Sequence, residues 1–375
     1  MRLALAGGGT GGHLSPGFGL LETMEASRPG SEALFLAALH SGRLPEKRPG
    51  RFWVGIPARR FNLKKWWKLP AALAGNLSAY RQSYTALADF RPAALLGLGG
   101  YVSVPPVLAA FRLGIPVVLL EQNRIMGRAN RHLEKGARVT ALTFPLEGSP
   151  VGHRVLTGIP LGRRVKEESP PPELPGPEWP VGVFTLLVMG GSRGAKFINH
   201  LLRRSLPAWK TEKGDLRIIH LSGAEDAGML RAVYREAGIS ARVFPYLKEM
   251  GWAYRHADLL IARAGAATLA EAAYWGLPSL LIPYPWATDQ HQLANARYFE
   301  AKGGALVLEE AVTTPEELTK IVKHFSDHPD ELKNMSARAH SLFLPHGGER
   351  LLELLERAAG GEKISGSNTD YVVDK

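Results

Sequence analysis

The sequence predicts an α/β protein built of two Rossmann-like domains whose parallel sheets face across a cleft, and three observations lead there. An apolar strand runs straight into helix-opening glycines twice, at Leu3–Gly12 (LALAGGGTGG) and Leu186–Ala195 (LLVMGGSRGA). Strand and helix patterns alternate through both halves, as in doubly wound domains. Between the halves lies a segment crowded with Pro170, Pro171, Pro172, Pro175, Pro177 and Pro180, which reads as a semi-rigid hinge. In each glycine turn, free backbone N–H groups and a helix dipole aim at one point, and that point favours an anion such as phosphate.

The strands of the first half fall at Leu3–Ala6, Ala33–Ala37, Ala94–Gly97, Val117–Leu120, Val139–Leu142 and Val155–Thr157, each an apolar run of strand length. Those of the second fall near Phe184–Val188, Arg217–His220, Ala241–Phe244, Leu259–Ala262, Ser279–Ile282 and Ala305–Val307. The expected domains are 1–162 and 163–345, with a final helix at about 346–360 packing back across the hinge onto the first. Residues 361–375 are polar and aperiodic, and are expected to be a disordered tail.

Length and a 45% hydrophobic content suit two cores. Charges such as Arg112 and Glu121 interrupt every apolar stretch before it reaches the roughly 18 residues of a spanning helix. The opening MRLALAGGG is too short and glycine-broken for a signal peptide. The absence of cysteine excludes disulfides and thiolate metal sites and suits a cytoplasmic protein.

The net charge of +11 is unevenly spread: Arg43 to Arg81 holds ten Lys/Arg and one carboxylate, Glu46. Within it, Phe61, Leu63, Trp66, Trp67 and Leu69 alternate with Lys64, Lys65 and Lys68. Rings that settle among headgroups and lysines that meet anionic lipid make a membrane-surface patch. An amphipathic helix with core tryptophans, or a nucleic-acid patch, are the alternatives; no nucleic-acid motif accompanies it.

The first glycine turn, Gly7-x-Gly9-x-x-Gly12, fits the dinucleotide fingerprint, but the second strand ends Leu36-Ala37-Ala38-Leu39-His40 without the carboxylate a dinucleotide ribose needs. Thr10 and His13 occupy the turn instead. A helix N-terminus disfavours a cationic His13, leaving it neutral and able to accept a proton, or else simply filling the cleft. The second turn, Gly190-Gly191-Ser192-Arg193-Gly194, mimics a nucleophile elbow, with Asp258 and His291 following in triad order. A hydrolase leaves the first glycine turn unexplained, so Ser192 reads better as a phosphate-contacting hydroxyl. A third turn, Arg263-Ala264-Gly265-Ala266-Ala267-Thr268, opens a helix that carries Glu271 one turn in, on the face of Ala267 and Thr268. That spacing brings a carboxylate within reach of ribose hydroxyls and a helix start within reach of phosphate.

GGGTGGHLSP at Gly7–Pro16, LGGYVSVPP at Leu98–Pro106, LEQN at Leu120–Asn123, GGSRGA at Gly190–Ala195, ARAGAATLAE at Ala262–Glu271 and DQHQLANA at Asp289–Ala296 together resemble the MurG family. These are undecaprenyl-diphospho-muramoylpentapeptide N-acetylglucosaminyltransferases of the GT-B fold, and the resemblance runs to about Ala359. It implies an inverting transfer of N-acetylglucosamine from UDP-N-acetylglucosamine to the 4-hydroxyl of a lipid-linked muramoyl pentapeptide, in peptidoglycan synthesis. The implied donor site comprises Ser192 on the pyrophosphate, Leu247 by the uracil, Arg263 and the Ala266–Ala267–Thr268 turn, Glu271 on the ribose, and His291 and Gln292 on the sugar. Thr10, Gly11, Gly12, His13, Asn123 and Arg163 are implied to approach the donor too. The implied acceptor site comprises Thr10, Gly11, Gly12, Gly99, Gly100, Tyr101, Ser103 and Asn123, with His13 the catalytic base.

The sequence departs from the family at Gly162, where a phosphate-contacting arginine is usual and Arg163 or Arg164 is the available substitute, and at Leu120, where a His commonly stands. No Asp-x-Asp occurs, so no obligatory metal or other cofactor is expected, and the helix start with nearby arginine answers the leaving diphosphate. The resemblance implies a peripheral enzyme on the cytoplasmic face of the cell membrane, with UDP-N-acetylglucosamine, the polyprenyl-diphosphate acceptor and an anionic membrane surface as partners, and no nucleic acid. A related GT-B glycolipid synthase, a UDP-sugar epimerase and a non-catalytic UDP-sugar sensor are the competing readings.

Overall fold

The computed structural model describes residues 1–8, 11–38, 49–61, 63–147, 153–172, 182–190, 195–209, 216–362 and 364, without the side chains of 11–13 and 63–65. The chain divides into two compact units, Met1–Gly162 with Leu344–Lys375, and Arg163–Phe343.

In the first unit the strands are β1 (Arg2–Ala6), β2 (Glu32–Ala38), β3 (Arg51–Ile56), β4 (Ala94–Gly97), β5 (Val117–Glu121), β6 (Val139–Leu142) and β7 (Arg154–Leu156). Among the described residues they form one sheet in the order β3-β2-β1-β4-β5-β6-β7, parallel throughout. β1, β4, β5 and β6 are buried almost end to end, because α1 (Gly11–Ser27), α2 (Leu69–Phe90), α3 (Val104–Arg112) and α4 (Arg128–Leu133) belong to crossovers that cover both sheet faces. Sequence reading missed β3. It is a partly exposed edge strand whose apolar run, Phe52–Ile56, lies inside the basic window.

The second unit repeats the plan with α5 (Arg163–Lys166), β8 (Phe184–Met189), α6 (Lys196–Ser205), β9 (Leu216–Leu221), α7 (Ala227–Glu236), β10 (Ser240–Phe244) and α8 (Met250–Arg255). It continues through β11 (Leu259–Ala262), α9 (Ala266–Trp275), β12 (Ser279–Leu281), α10 (His291–Ala301), β13 (Ala305–Val307), α11 (Pro315–Asp327) and α12 (Pro329–Ser341). The sheet order is β10-β9-β8-β11-β12-β13 among the described residues. In both units the order turns around beside the first strand, between β1 and β4 and between β8 and β11. A ligand crevice opens at such a switch point, outside the carboxyl ends of the strands.

The last helix, α13 (Gly347–Ala359), places Leu351, Leu352, Leu354, Leu355 and Ala358 in the same core as Leu3, Leu5, Leu20, Leu21 and Val118 of the first unit. Ile364 joins that core; the rest of the tail from 365 lies outside the described residues. α13 approaches the chain at Ile159 so closely that a Cβ on Gly347 would lie 2.7 Å from the Ile159 carbonyl oxygen and 2.8 Å from its nitrogen. Backbone cannot yield there as a flexible side chain would.

Under the second sheet runs a buried polar chain. The Tyr234 hydroxyl lies 2.8 Å from His220 Nδ1, and His220 Nε2 lies 3.0 Å from Asn199 Oδ1. Asn199 Nδ2 in turn donates to Asp226 Oδ2 at 2.6 Å and to Ser222 O at 3.0 Å. Since Asn199 spends its amide protons on those two oxygens, its Oδ1 accepts, so His220 carries the proton on Nε2 and accepts from Tyr234 on Nδ1. Burial holds the imidazole neutral, down to about 3, against the opposing charge of Asp226.

Two tests follow from this packing. Gly347→Ala should lower the urea midpoint by an amount equivalent to about 1–3 kcal/mol of overpacking, with the m-value unchanged; an unshifted midpoint contradicts the close approach. For His220 the folded value is depressed below the unfolded one of about 6.5. Its contribution is therefore complete above that pH and is lost as pH falls toward 3. His220→Gln should flatten the decline of unfolding free energy between pH 6.5 and 4.5 by up to about 1.4 kcal/mol per unit. Equal slopes for parent and variant would show that the histidine is not held neutral.

Candidate functional site

At the switch point of the first unit, Gly7 leaves β1 and Leu98 leaves β4 so close together that a Cβ on Gly7 would lie 2.7 Å from Leu98 Cβ. Gly11 and Gly12 open α1. Gly9, Thr10 and the side chain of His13 lie outside the described residues. Across the switch point, Gly99 and Gly100 take φ of 84° and 75°, a left-handed backbone that glycine adopts freely. Tyr101–Ser103 then form a 3-10 turn leading into α3. Within it, the Ser103 hydroxyl donates to Gly100 O at 2.8 Å, and the Tyr101 side chain is exposed.

The next strand end brings a carboxylate to which the sequence assigned no role at the site. Glu121 is buried. Its Oε1 accepts from the Asn123 backbone N–H at 3.0 Å, and its Oε2 from the Gly127 N–H and Asn130 Nδ2, both at 2.9 Å. Burial pushes its pKa up and these donors oppose the shift. The carboxylate thereby shapes the 121–127 turn and seats Asn123 at the carboxyl edge of the sheet.

In the second unit, Gly265 is the extended residue before α9, and Ala266, Ala267 and Thr268 form its first turn. The loop after β8, with Ser192, lies outside the described residues. Glu271 is buried on α9, where its Oε2 accepts from the Tyr254 hydroxyl at 2.8 Å. Burial raises the Glu271 pKa, while the Arg164 charge and the Tyr254 hydrogen bond pull it down. The charge of Arg164 on α5, the second of the two arginines that follow Gly162, thus reaches Glu271. Arg164 Nη1 also donates to the Tyr246 hydroxyl at 3.4 Å, beside the buried Leu247. α5 is tied to α9 by Trp275 Nε1 donating to Val165 O at 2.9 Å.

Arg263 is committed to the loop that follows β12. Its Nη1 donates to Ile282 O and Pro283 O and pairs with Glu310 at 2.5 Å. Gln292, in the first turn of α10, ties to the same loop, its Oε1 accepting from the Tyr284 N–H at 2.9 Å. His291 Nδ1 meets Thr288 O at 2.6 Å, so Nδ1 bears a proton and donates it to that carbonyl. Asp289 and Gln290 hold left-handed φ of 53° and 54° before α10, a strained arrangement of a kind that clusters at ligand clamps.

The hydrolase triad does not assemble. Asp258 precedes β11 and accepts from the Thr185 N–H at 2.7 Å, at the amino edge of the sheet, whereas His291 follows β12 beyond the carboxyl edge. Nor are Trp66 and Trp67 in a core. Trp66, Trp67 and Phe61 are 71%, 60% and 51% exposed, and Lys68 is exposed with them. The buried face of α2 instead carries Ala72, Ala79, Ser83, Leu87 and Phe90. The side chains of Lys64 and Lys65 lie outside the described residues. Among the described residues no cluster of His, Asp and Glu could hold a metal ion, and no helix is long and apolar enough to cross a membrane.

Residues 3–141 match the glycosyltransferase family 28 N-terminal domain, and residues 185–351 match its C-terminal domain. A UDP-N-acetylglucosamine--N-acetylmuramyl-(pentapeptide) pyrophosphoryl-undecaprenol N-acetylglucosamine transferase of Geobacter sulfurreducens is 38% identical over 91% of this chain and 94% of its own. The transferase of the same name from Thermodesulfovibrio yellowstonii is 33% identical over 95% and 98%. The crystal structure of Acinetobacter baumannii MurG aligns with a TM-score of 0.72 at 27% identity, covering 95% of this chain and 99% of that one. A UDP co-structure of S. aureus MnaA aligns with a TM-score of 0.67 at 12% identity over 98% and 100%, a likeness of fold alone. With two parallel-sheet α/β domains of the GT-B class, both family 28 domains matched in order, and relatives above 30% identity along nearly its full length, the chain belongs to the MurG family of glycosyltransferases.

Proposed function

We propose that this chain transfers N-acetylglucosamine from UDP-N-acetylglucosamine to the 4-hydroxyl of a muramoyl-pentapeptide carried on a polyprenyl diphosphate, the step that makes lipid II from lipid I. The observation that carries this reading is that the likeness to the named transferases runs through both units, so the donor and acceptor halves are matched together. A glycolipid synthase acting on an acceptor without a diphosphate leaves the glycine-rich turn of the first unit unexplained, and a silent sensor has no use for His13 in the acceptor half.

The second unit supplies the donor site. The first turn of α9, through Ala266, Ala267 and Thr268, offers N–H groups and a helix dipole to the diphosphate, with Ser192 contributing its hydroxyl. Glu271 meets the ribose and Leu247 flanks the base. The His291 and Gln292 side chains address the sugar hydroxyls. Arg263 acts by fixing the loop that presents them. Arg164, whose charge reaches Glu271, is better supported than Arg163 as the substitute for the family arginine.

The first unit supplies the acceptor site. Thr10, Gly11 and Gly12 at the start of α1, with Gly99, Gly100, Tyr101 and Ser103 across the switch point, present backbone N–H groups to the acceptor diphosphate. Asn123 stands beside them on the turn that Glu121 holds. His13, at a helix start that disfavours its cation, takes the proton from the 4-hydroxyl as that oxygen attacks the anomeric carbon opposite the departing UDP, which inverts the α-linked donor to a β-1,4 product. Charge on the leaving diphosphate is met by N–H groups and arginine, with no obligatory metal.

The exposed Phe61, Trp66 and Trp67 with Lys64, Lys65 and Lys68 seat the enzyme as a peripheral protein on the cytoplasmic membrane face, where the acceptor's polyprenyl chain stays in the bilayer.

Two experiments test these assignments. UDP release from UDP-N-acetylglucosamine in EDTA-containing buffer should depend on a muramoyl-diphospho-polyprenol analogue, and His13→Ala should slow it by about 10²–10⁴-fold, the range for a lost general base. Acceptor-independent release, or a requirement for added metal, contradicts the proposal. Separately, replacing Trp66, Trp67, Lys64, Lys65 and Lys68 together should weaken sedimentation with anionic vesicles by about 100-fold or more, since each lysine near such a surface contributes about 1 kcal/mol. UDP-sugar affinity should be unaffected; undiminished vesicle binding rejects the patch.

A further inference from the structure

We propose that Tyr254 is a positioning residue for donor recognition: its phenol pins one oxygen of Glu271 so that the other is presented, in a set plane, to a cis-diol of the nucleotide ribose. The proposal rests on the reading of the second unit as a nucleotide-sugar site and deepens it.

Tyr254 on α8 and Glu271 on α9 are 2% and 4% exposed, and the hydroxyl donates to Glu271 Oε2 at 2.8 Å. No hydrogen bond reaches Glu271 Oε1 among the described residues. A buried carboxylate with one oxygen anchored and the other open is poorly explained by packing alone. An apolar side chain would fill the same volume, and interior polar atoms are ordinarily satisfied.

The carboxylate torsion of a glutamate is broad and soft. A single fixed donor on Oε2 converts that free rotor into a directed acceptor, and Tyr254 is well built to supply it. Its ring is locked by burial, and its hydroxyl also lies 3.7 Å from Met189 Sδ, at the last residue of β8. The phenol thus ties the end of β8 to the helix that carries Glu271, at the edge where ligands meet this fold.

Charge arrives separately. Burial disfavours ionised Glu271, and the two groups that favour it are Tyr254 from α8 and Arg164 from α5. Tyr254 itself stays a phenol, because burial and the neighbouring carboxylate both raise its pKa well above the ordinary value. It therefore acts as a donor only, and never competes with Glu271 for a negative charge. Removing the hydroxyl leaves Arg164 alone to oppose burial and frees the carboxylate to turn.

The test measures binding of UDP and of 2′,3′-dideoxyuridine diphosphate to the full chain by calorimetry. The parent should prefer UDP. Glu271→Gln should erase that preference, and Tyr254→Phe should lower UDP affinity by about tenfold while leaving the dideoxy compound within about twofold of the parent. Because Tyr254 works through Glu271, the double variant should bind UDP no more weakly than Glu271→Gln alone. If Tyr254→Phe weakens both ligands alike, or if its effect adds in full to that of Glu271→Gln, the residue is merely structural and the proposal fails. If the parent discriminates and Glu271→Gln abolishes this while Tyr254→Phe does not, the Tyr254 assignment alone falls. If the parent binds both compounds equally, the ribose reading of Glu271 falls and takes this proposal with it.

Discussion

Parallel pairing is the constraint on which the rest of this molecule depends. Parallel neighbours cannot be joined by a tight turn, so every connection must cross back over a sheet face through a helix or a long loop. All strands of a unit therefore deliver their carboxyl ends to one edge. Where the order reverses, two of those ends diverge and leave a crevice. In the first unit the reversal sets Gly7 against Leu98, and in the second it brings the exits of β8 and β11 side by side. The helix starts of α1 and α9 at that edge are consequences of the same rule, because each begins where a crossover must begin.

Around those edges the two units solve a similar problem with buried carboxylates. Glu121 is held entirely by N–H donors from its own turn and from Asn130, so the charge serves to shape backbone. Glu271 is held on one oxygen by Tyr254 and lies in the field of Arg164. Both carboxylates are pushed toward higher pKa by burial, and both are offset by hydrogen bonds to the charged form. The first has both oxygens engaged, whereas the second is anchored through one. The His220 chain beneath the second sheet is a third use of buried polarity. It joins α6, through Asn199, to His220 on β9 and Tyr234 on α7.

Much of this was legible along the chain. The apolar runs of β1, β4, β5, β6, β8 and β11 are strands, and Glu271 one turn into α9 follows from its spacing to Thr268. Other features were open to more than one reading. Trp66 and Trp67 suit a buried helix face as well as an exposed one, because alternation of rings and lysines does not say which side a neighbouring element covers. The GxSxG pattern followed by Asp258 and His291 preserves the order of a triad without its geometry, since a parallel strand carries the two to opposite edges of the sheet. β3 escaped notice although Phe52–Ile56 is an apolar run of strand length, because it is set among the cations of the basic window, which drew the reading toward charge.

What the sequence determined by itself is local: which segments extend, which coil, where glycine permits a left-handed turn or a close approach, and which helix starts favour an anion. These depend on side-chain volume, backbone freedom and the period of burial, all of which are written within a few neighbouring residues. The tertiary structure alone decided that Tyr254 reaches Glu271, that Arg164 sends its charge there, that Gln292 meets the Tyr284 N–H, and that α13 contributes to the core of the first unit. Each of those contacts joins segments brought together by packing, and a hydrogen bond selects its partner by ångströms in space, which separation along the chain does not encode.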